Sequence, residues 1–194
     1  MRLERLNRTQ QAVTLLQRGM RTSLVSHVSG LRSPVVRELH HEIHGDKPSG
    51  GPLPSLSGLL LSPRLRASAS VFVALYRALG GTEVLHRVDL AALLKAHQLY
   101  QAQIEHLAAE ATLGEPIDIN AAWVIARDLT TGLARLHVCP HCAVHYLAGD
   151  LSRTALHCPL CILKRGRGWR RQRPPKVVPA ETAPVPRIEA TSPP

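Results

Sequence analysis

All four cysteines of this 194-residue chain fall in two Cys-x-x-Cys units, Cys139-Pro140-His141-Cys142 and Cys158-Pro159-Leu160-Cys161. Any fold must bring both units back to one point if they act together. At this separation four thiolates can converge on a single tetrahedral ion, each unit wrapping its backbone round the metal. Paired disulfides would need an oxidising compartment, and the N-terminus does not read as an export signal. A redox Cys-x-x-Cys normally follows a strand in a thioredoxin-like βαβ unit, and no such pattern is visible. The spacing therefore predicts one structural Zn²⁺ held by Cys139, Cys142, Cys158 and Cys161, with an iron–sulfur centre on the same cysteines as the rival metal reading. With the shell filled, no position is open to activate water or bind a substrate. His137, His141, His145 and His157 crowd the same stretch, so a Cys₃His set stays open beside the reading in which they surround the site or face solvent.

The rest of the core must be aliphatic, since hydrophobic residues make up 44% of the chain and aromatics only 3%. Leu, Val, Ile and Ala in helical spacing favour a mainly α fold packed through aliphatic ridges. Residues 3–21 place Leu3, Leu6, Val13, Leu16 and Met20 on one stripe of a helix, either as core or as a seam for a partner helix. Residues 22–44 read as a helix-turn-helix-like segment. A short helix breaks at Gly30, and Ser33-Pro34 opens a second as N-cap and first helical residue. Val25, Leu31, Val36 and Leu39 would form the small core of that motif, although Ser29 stands where an aliphatic side chain is usual. Arg37, Glu38, His40 and His41 would then face outward.

Residues 45–58 read as a Pro- and Gly-rich loop. Ser62-Pro63 starts the next helix, carrying Leu65, Ala69, Phe72, Leu75, Tyr76 and Leu79 on one face and ending at Gly80-Gly81. Asp89 caps another, with His97 on its apolar face, up to a break at Glu115-Pro116. Asp118 caps a third, in which Ile119, Ala122, Trp123, Ala126, Leu129, Leu133 and Leu136 lead directly into Cys139. The expected organisation is a helical domain over residues 1–137, a zinc-binding region over 138–163, and a basic then Pro-rich disordered tail over 164–194.

Charge sharpens the functional expectation. Residues 1–60 carry eight Lys/Arg against four Asp/Glu, residues 61–161 eight of each, and residues 162–194 eight against two. A neutral middle between basic ends suits a polyanion gripped from both sides; the plainer alternative is a solubilising tail. Arg37 and His40 on the second helix of the helix-turn-helix-like segment are candidates for DNA contact. So are Lys164, Arg165, Arg167, Arg170 and Arg171 after the second cysteine unit, where Trp169 could stack or wedge. No apolar run approaches the ~18–20 residues that span a bilayer, so a cytoplasmic protein with no membrane partner is expected. No phosphate loop, nucleophile elbow or His-Glu-x-x-His motif is present, so an enzyme is not expected. His41, Glu42 and His44 fit a solvated helix end.

Two blocks of residues carry a resemblance. Leu31-Arg32-Ser33 leads into Val36-Arg37-Glu38-Leu39, then Gly45, Pro48, Gly51 and Leu53-Pro54. Ala122-Trp123-Val124-Ile125-Ala126-Arg127 and Gly132-Leu133 precede the four cysteines and a basic tail. In order and approximate spacing over residues 10–170 this is similar to the FlhC family of bacterial flagellar transcriptional activator subunits. The resemblance implies a mostly helical protein whose four cysteines bind zinc and which works as a hetero-oligomer with an FlhD subunit. The pair would bind double-stranded DNA upstream of flagellar promoters and assist RNA polymerase. The stretch Ser55-Leu56-Ser57-Gly58-Leu59-Leu60-Leu61 departs from the aromatic-rich segment expected there, as does the Pro-rich end. A zinc-ribbon RNA-binding or ribosome-associated protein is the alternative, against which the scarcity of base-stacking aromatics counts.

Overall fold

Side-chain caps fix where the longer helices of the second half begin. Ser62 Oγ accepts from the Leu65 amide at 3.1 Å, Asp89 Oδ1 from Ala92 at 3.0 Å, and Asp118 Oδ1 from Ala121 at 2.7 Å. Each satisfies an N–H that the first helical turn leaves without an internal partner. In the computed structural model, which describes residues 2–108, 116–149 and 157–166, these caps open three of eight helices. The helices are α1 (Arg2–Gln17), α2 (Thr22–Ser29), α3 (Ser33–His44), the single turn α4 (Leu56–Leu59), α5 (Pro63–Gly80), α6 (Leu90–Ala108), α7 (Ile119–Thr130) and α8 (Pro159–Gly166). A 3₁₀ turn, Thr82–Leu85, links α5 to α6, and β1 (Ala134–Val138) pairs antiparallel with β2 (His145–Gly149). The protein is mainly helical, as its sequence predicts.

The first three helices pack pairwise on one another. Gly30 ends α2 at φ 67°, a left-handed cap that returns its N–H to the Ser26 carbonyl. Val25 and Val36 are fully buried between the helices. Ser29 is tolerated there because its hydroxyl donates to the Val25 carbonyl at 2.6 Å and accepts from the Leu31 amide at 3.3 Å. Two expectations need correction. Ser33 is the first residue of α3, and Arg32, which makes no side-chain capping bond, occupies the cap. The apolar stripe of α1 is divided: Leu15 and Leu16 are buried, whereas Leu3 and Leu6 are 76% and 60% exposed.

Polar staples tie this trio to the rest. The Arg18 guanidinium donates to the Leu94 carbonyl at 2.9 Å, and the Asn120 amide accepts from Arg21 N–H and donates to the Gly19 carbonyl. Beyond them α5 is the hub, contacting α6, α7, β2 and α8. Phe72 lies against Tyr76 and Tyr100, concentrating several of the scarce aromatics in one place. The two phenol oxygens accept from the Asp89 and Ile117 amides. At the end of α5, Gly80 lets the 3₁₀ turn and α6 close in: a Cβ there would stand 2.3 Å from Val84 Cγ1 and 3.0 Å from Ala92 Cβ. The first turns of α5 are buried on every side from Arg66 to Ser70, a consequence of the neighbours on more than one flank.

The expected helix running into Cys139 is also corrected. α7 ends at Thr130, Gly132 turns the chain at φ 77°, and residues 134–138 alternate along a strand. Leu133, 49% exposed, and Leu136 therefore do not continue the helical stripe. Two β-branched threonines followed by glycine favour stopping a helix, and the period changes from 3.6 to 2 beyond them. The register pairs Leu136 with Leu147 and Val138 with His145.

His97, buried as expected on the apolar face of α6, donates Nε2–H to the Ile117 carbonyl at 2.9 Å. Burial holds its pKa below the ordinary 6.5, against weaker raising effects from Ile117 and Asp118. The unfolded chain therefore takes up a proton that the folded ring refuses. Stability is fully present above about pH 6.5 and falls, by up to about 1.4 kcal/mol per pH unit, as pH drops from there towards the folded pKa. Chemical unfolding between pH 5 and 8 should show this slope, and His97→Gln should remove that part of it.

Candidate metal centre

The two cysteine units reach the same point by different local structures. Cys139 follows β1, and a turn returns the chain to β2. The Cys139 amide donates to the Val144 carbonyl at 3.0 Å, the Ala143 amide donates to the Cys139 carbonyl at 2.9 Å, and Ala143 sits at φ 57°. Cys158 immediately precedes α8, and Cys161 lies in its first turn, where the Ile162 amide donates to the Cys158 carbonyl at 3.1 Å. A hairpin turn thus faces a helix start whose dipole favours thiolate.

All four Sγ atoms lie within 4.8 Å of one another. Cys139 and Cys161 stand 3.7 Å apart, as do Cys142 and Cys158. A tetrahedral ion with metal–sulfur bonds of ~2.3 Å separates its sulfurs by about 3.8 Å, so the donor set fits one ion. Disulfide bonding would need sulfurs at ~2.05 Å, and all four cysteines are free. No histidine joins the group among the described residues. His137, His141, His145 and His157 are all exposed, and His137 leans on the Tyr146 ring with centroids 5.9 Å apart.

The thiols are poorly suited to one another without a cation. Burial works against a thiolate at Cys139, but the amides of Cys142 and His141 and the neighbouring thiols outweigh it and bring its pKa to about 7. Cys161 is pushed up to about 12, first by burial and then by the other three sulfurs. Cys158 is raised as well, chiefly by burial. One thiolate forms readily and opposes the rest. A bound metal ion inverts that balance by supplying the missing positive charge.

The residue that sequence reasoning missed is Arg66. It is 3% exposed, and its Nη2 donates at 2.8 Å to the carbonyl of His157, directly before Cys158. Burial lowers its pKa, while negative charge at Tyr146 and Cys158 acts the other way. A guanidinium stays protonated in either case. Ser70, one helical turn on, accepts from the Leu147 amide of β2 at 2.9 Å. One side of α5 thereby holds both halves of the cysteine site. The only sequence signal was an arginine between Leu65 and Ala67, on the apolar side of a helix that also carries Arg64 and Arg77.

Of the residues expected to meet DNA, the structure describes four, two on α3 and two on α8. Arg37 is exposed on α3. His40 does not face outward: it is half-buried against His44, ring centroids 4.7 Å apart, with Nδ1 buried and without a partner. Its position, four residues from His44, puts the two rings on one helical face. Lys164 and Arg165 are exposed on the last turn of α8. Arg167, Arg170, Arg171, Trp169 and the Pro-rich end lie outside the described residues. Among the described residues no helix is long and apolar enough to cross a membrane.

The profile of the family described as Flagellar transcriptional activator (FlhC) matches residues 3–173. Three curated relatives are each named Flagellar transcriptional regulator FlhC. That of Thauera aminoaromatica is 25% identical over 174 residues, covering 88% of this chain and 85% of its own length. That of Paraburkholderia atlantica is 25% identical over 152 residues, covering 77% and 67%. That of Cupriavidus necator is 27% identical over 170 residues, covering 86% and 80%.

Replacing any one of Cys139, Cys142, Cys158 or Cys161 with serine should lower bound metal from one ion per chain to well below one, read by elemental analysis of the purified protein. Arg66→Leu should keep the ligands but weaken metal retention against a chelator by roughly 10- to 100-fold, the usual effect of losing a partner just outside the ligands. Retention equal to wild type would confine Arg66 to packing.

Proposed function

This chain belongs to the FlhC family of flagellar transcriptional activators, and from that premise we propose that it is the DNA-binding subunit of a hetero-oligomer with an FlhD-type partner. In this reading the complex binds double-stranded DNA upstream of flagellar promoters in the cytoplasm and assists RNA polymerase. The chain acts by binding and carries no catalysis of its own. The observation that carries the proposal is the extent of the family match, which runs from α1 through all four cysteines.

The metal is a single structural Zn²⁺ in this reading, held by Cys139, Cys142, Cys158 and Cys161. Sulfur-only donors in tetrahedral array suit zinc, and a closed shell suits a structural ion. The ion would fasten the β1–β2 hairpin to the start of α8. Lys164 and Arg165, at the far end of that short helix, would then be presented from a fixed base to DNA phosphates. The exposed Leu3 and Leu6 of α1 are available to a protein partner, the role that a helical seam would serve.

Light scattering on size-exclusion fractions tests the proposal, comparing the chain expressed alone with the chain co-expressed with its cognate FlhD-type subunit. A stable mixed complex, which binds duplex DNA from upstream of flagellar genes more tightly than RNA of the same length, is the expected result. A well-behaved lone chain that ignores the partner and prefers RNA would overturn it in favour of a zinc-ribbon RNA-binding role.

A further inference from the structure

We propose that the cleft between α1 and the start of α3 seats a backbone phosphate of duplex DNA, gripped by Arg5, Arg8 and Arg32. The inference rests on the DNA-binding reading above and assigns it a surface. The cleft has a volume of about 530 Å³, and Glu4, Arg5, Arg8, Thr9, Arg32 and Val35 line it together with Gly30 and Leu31. Three guanidinium groups face one carboxylate there. Glu4 pairs with Arg8 one helical turn away, which orients that guanidinium and leaves an excess of positive charge in the cleft.

Several of the chain's other arginines are already engaged. Arg18, Arg21 and Arg66 hold main-chain carbonyls, and Arg87 and Arg127 pair with acidic neighbours. The guanidinium groups of Arg5 and Arg32 make no hydrogen bond or ion pair with any described residue, yet they open onto a common concavity. Gly30, at φ 67°, turns the chain from α2 towards α3 at the edge of the cleft. Planar guanidinium forks converging on one concave site match the tetrahedral oxygens of a phosphodiester better than scattered surface lysines would.

The outward face of α3 argues the same way by contrast. It presents Arg37 with Glu38 and Glu42, all exposed, so its carboxylates outnumber its arginine. A duplex laid along that face would meet like charge. Displaced towards the N-terminal half of α1, it would meet Arg2, Arg5 and Arg8 at three-residue steps, with Arg32 across the cleft. Arg5 and Arg32 are both exposed, so substituting them leaves the buried core of the three helices intact.

The test uses the full chain in complex with its co-expressed FlhD-type subunit. Binding to a promoter duplex and to an unrelated duplex is measured across a salt series for wild type and for the double variant Arg5→Gln with Arg32→Gln. Loss of this one phosphate contact should make the plot of log affinity against log salt shallower by up to ~0.9 and weaken both duplexes alike. Arg5→Lys with Arg32→Lys retains the charge and should recover most of the slope. Arg64→Gln with Arg87→Gln, removing equal charge from exposed positions outside the cleft, should leave the slope near wild type. A Gln double variant that folds, by its helical circular dichroism, and keeps the wild-type slope would overturn the cleft while the DNA-binding reading stands. A wild-type complex with no salt-dependent duplex binding would remove that reading and the cleft with it.

Discussion

Four thiols confined within 4.8 Å, three of them buried, form an arrangement that a protein cannot hold comfortably on its own. Cys139 is lowered by the amides of Cys142 and His141 and by its thiol neighbours, whereas Cys161 is raised first by burial and then by the other sulfurs, so the two stand at opposite ends of the thiol range. A divalent ion resolves the conflict at its centre but leaves tetrathiolate coordination with a net charge of about −2. Arg66 answers that residue of charge from α5. A buried cation and a buried anionic site are each costly alone and tolerable together, so the helical body and the cysteine units depend on one another. The hydrogen bond to the His157 carbonyl sets the distance between them.

This dependence explains what could be read from the sequence and what could not. Several local signals were legible, though not the start of α3 at Ser33 or the stop of α7 at Thr130. Ser62, Asp89 and Asp118 cap their helices from three residues away, and Gly30 turns the chain by its own freedom at positive φ. The four cysteines announced themselves by spacing. Long-range facts were not legible. Arg66 meets its partner 91 positions along the chain, and nothing near it in sequence marks it as buried. The strands escaped notice because five-residue segments of mixed polarity, Ala134–Val138 and His145–Gly149, are too short for alternation to stand out beside a strong helical pattern ending at Thr130. Leu3 and Leu6 look like core by period and are exposed, because α2 and α3 cover only the later turns of α1.

Among the described arginines two physical kinds stand apart from those in ion pairs. Those that reach carbonyls act as fasteners: Arg18 to α6, Arg21 to the loop at Gly51 and Pro52, and Arg66 to the approach to Cys158. In a chain with few aromatics, such long side chains join elements that side-chain packing alone would hold loosely. Others, Arg5 and Arg32 among them, make no side-chain bond to a described residue and carry the field that a polyanion would feel. Net charge alone does not separate the two kinds, and the separation moves the expected nucleic-acid contact from α3 towards α1.

The fasteners also decide how the two basic regions relate. The cleft on α1 and α3 is tied to α6 through Arg18 and to α7 through Asn120, and α7 and α6 both pack on α5. The last turn of α8, with Lys164 and Arg165, is tied to the same α5 through Arg66 and the cysteine site. One helix is therefore the common reference for both. The asymmetry lies in what holds each end: the cleft rests on apolar packing and hydrogen bonds, whereas α8 packs on α5 and is joined to the β1–β2 hairpin through the cysteines. Metal loss would accordingly free the C-terminal basic end while the N-terminal cleft keeps its shape. An ion bound by the four cysteines would hold the two regions at a fixed separation, a role in geometry that a filled tetrahedral shell can perform without taking part in any reaction.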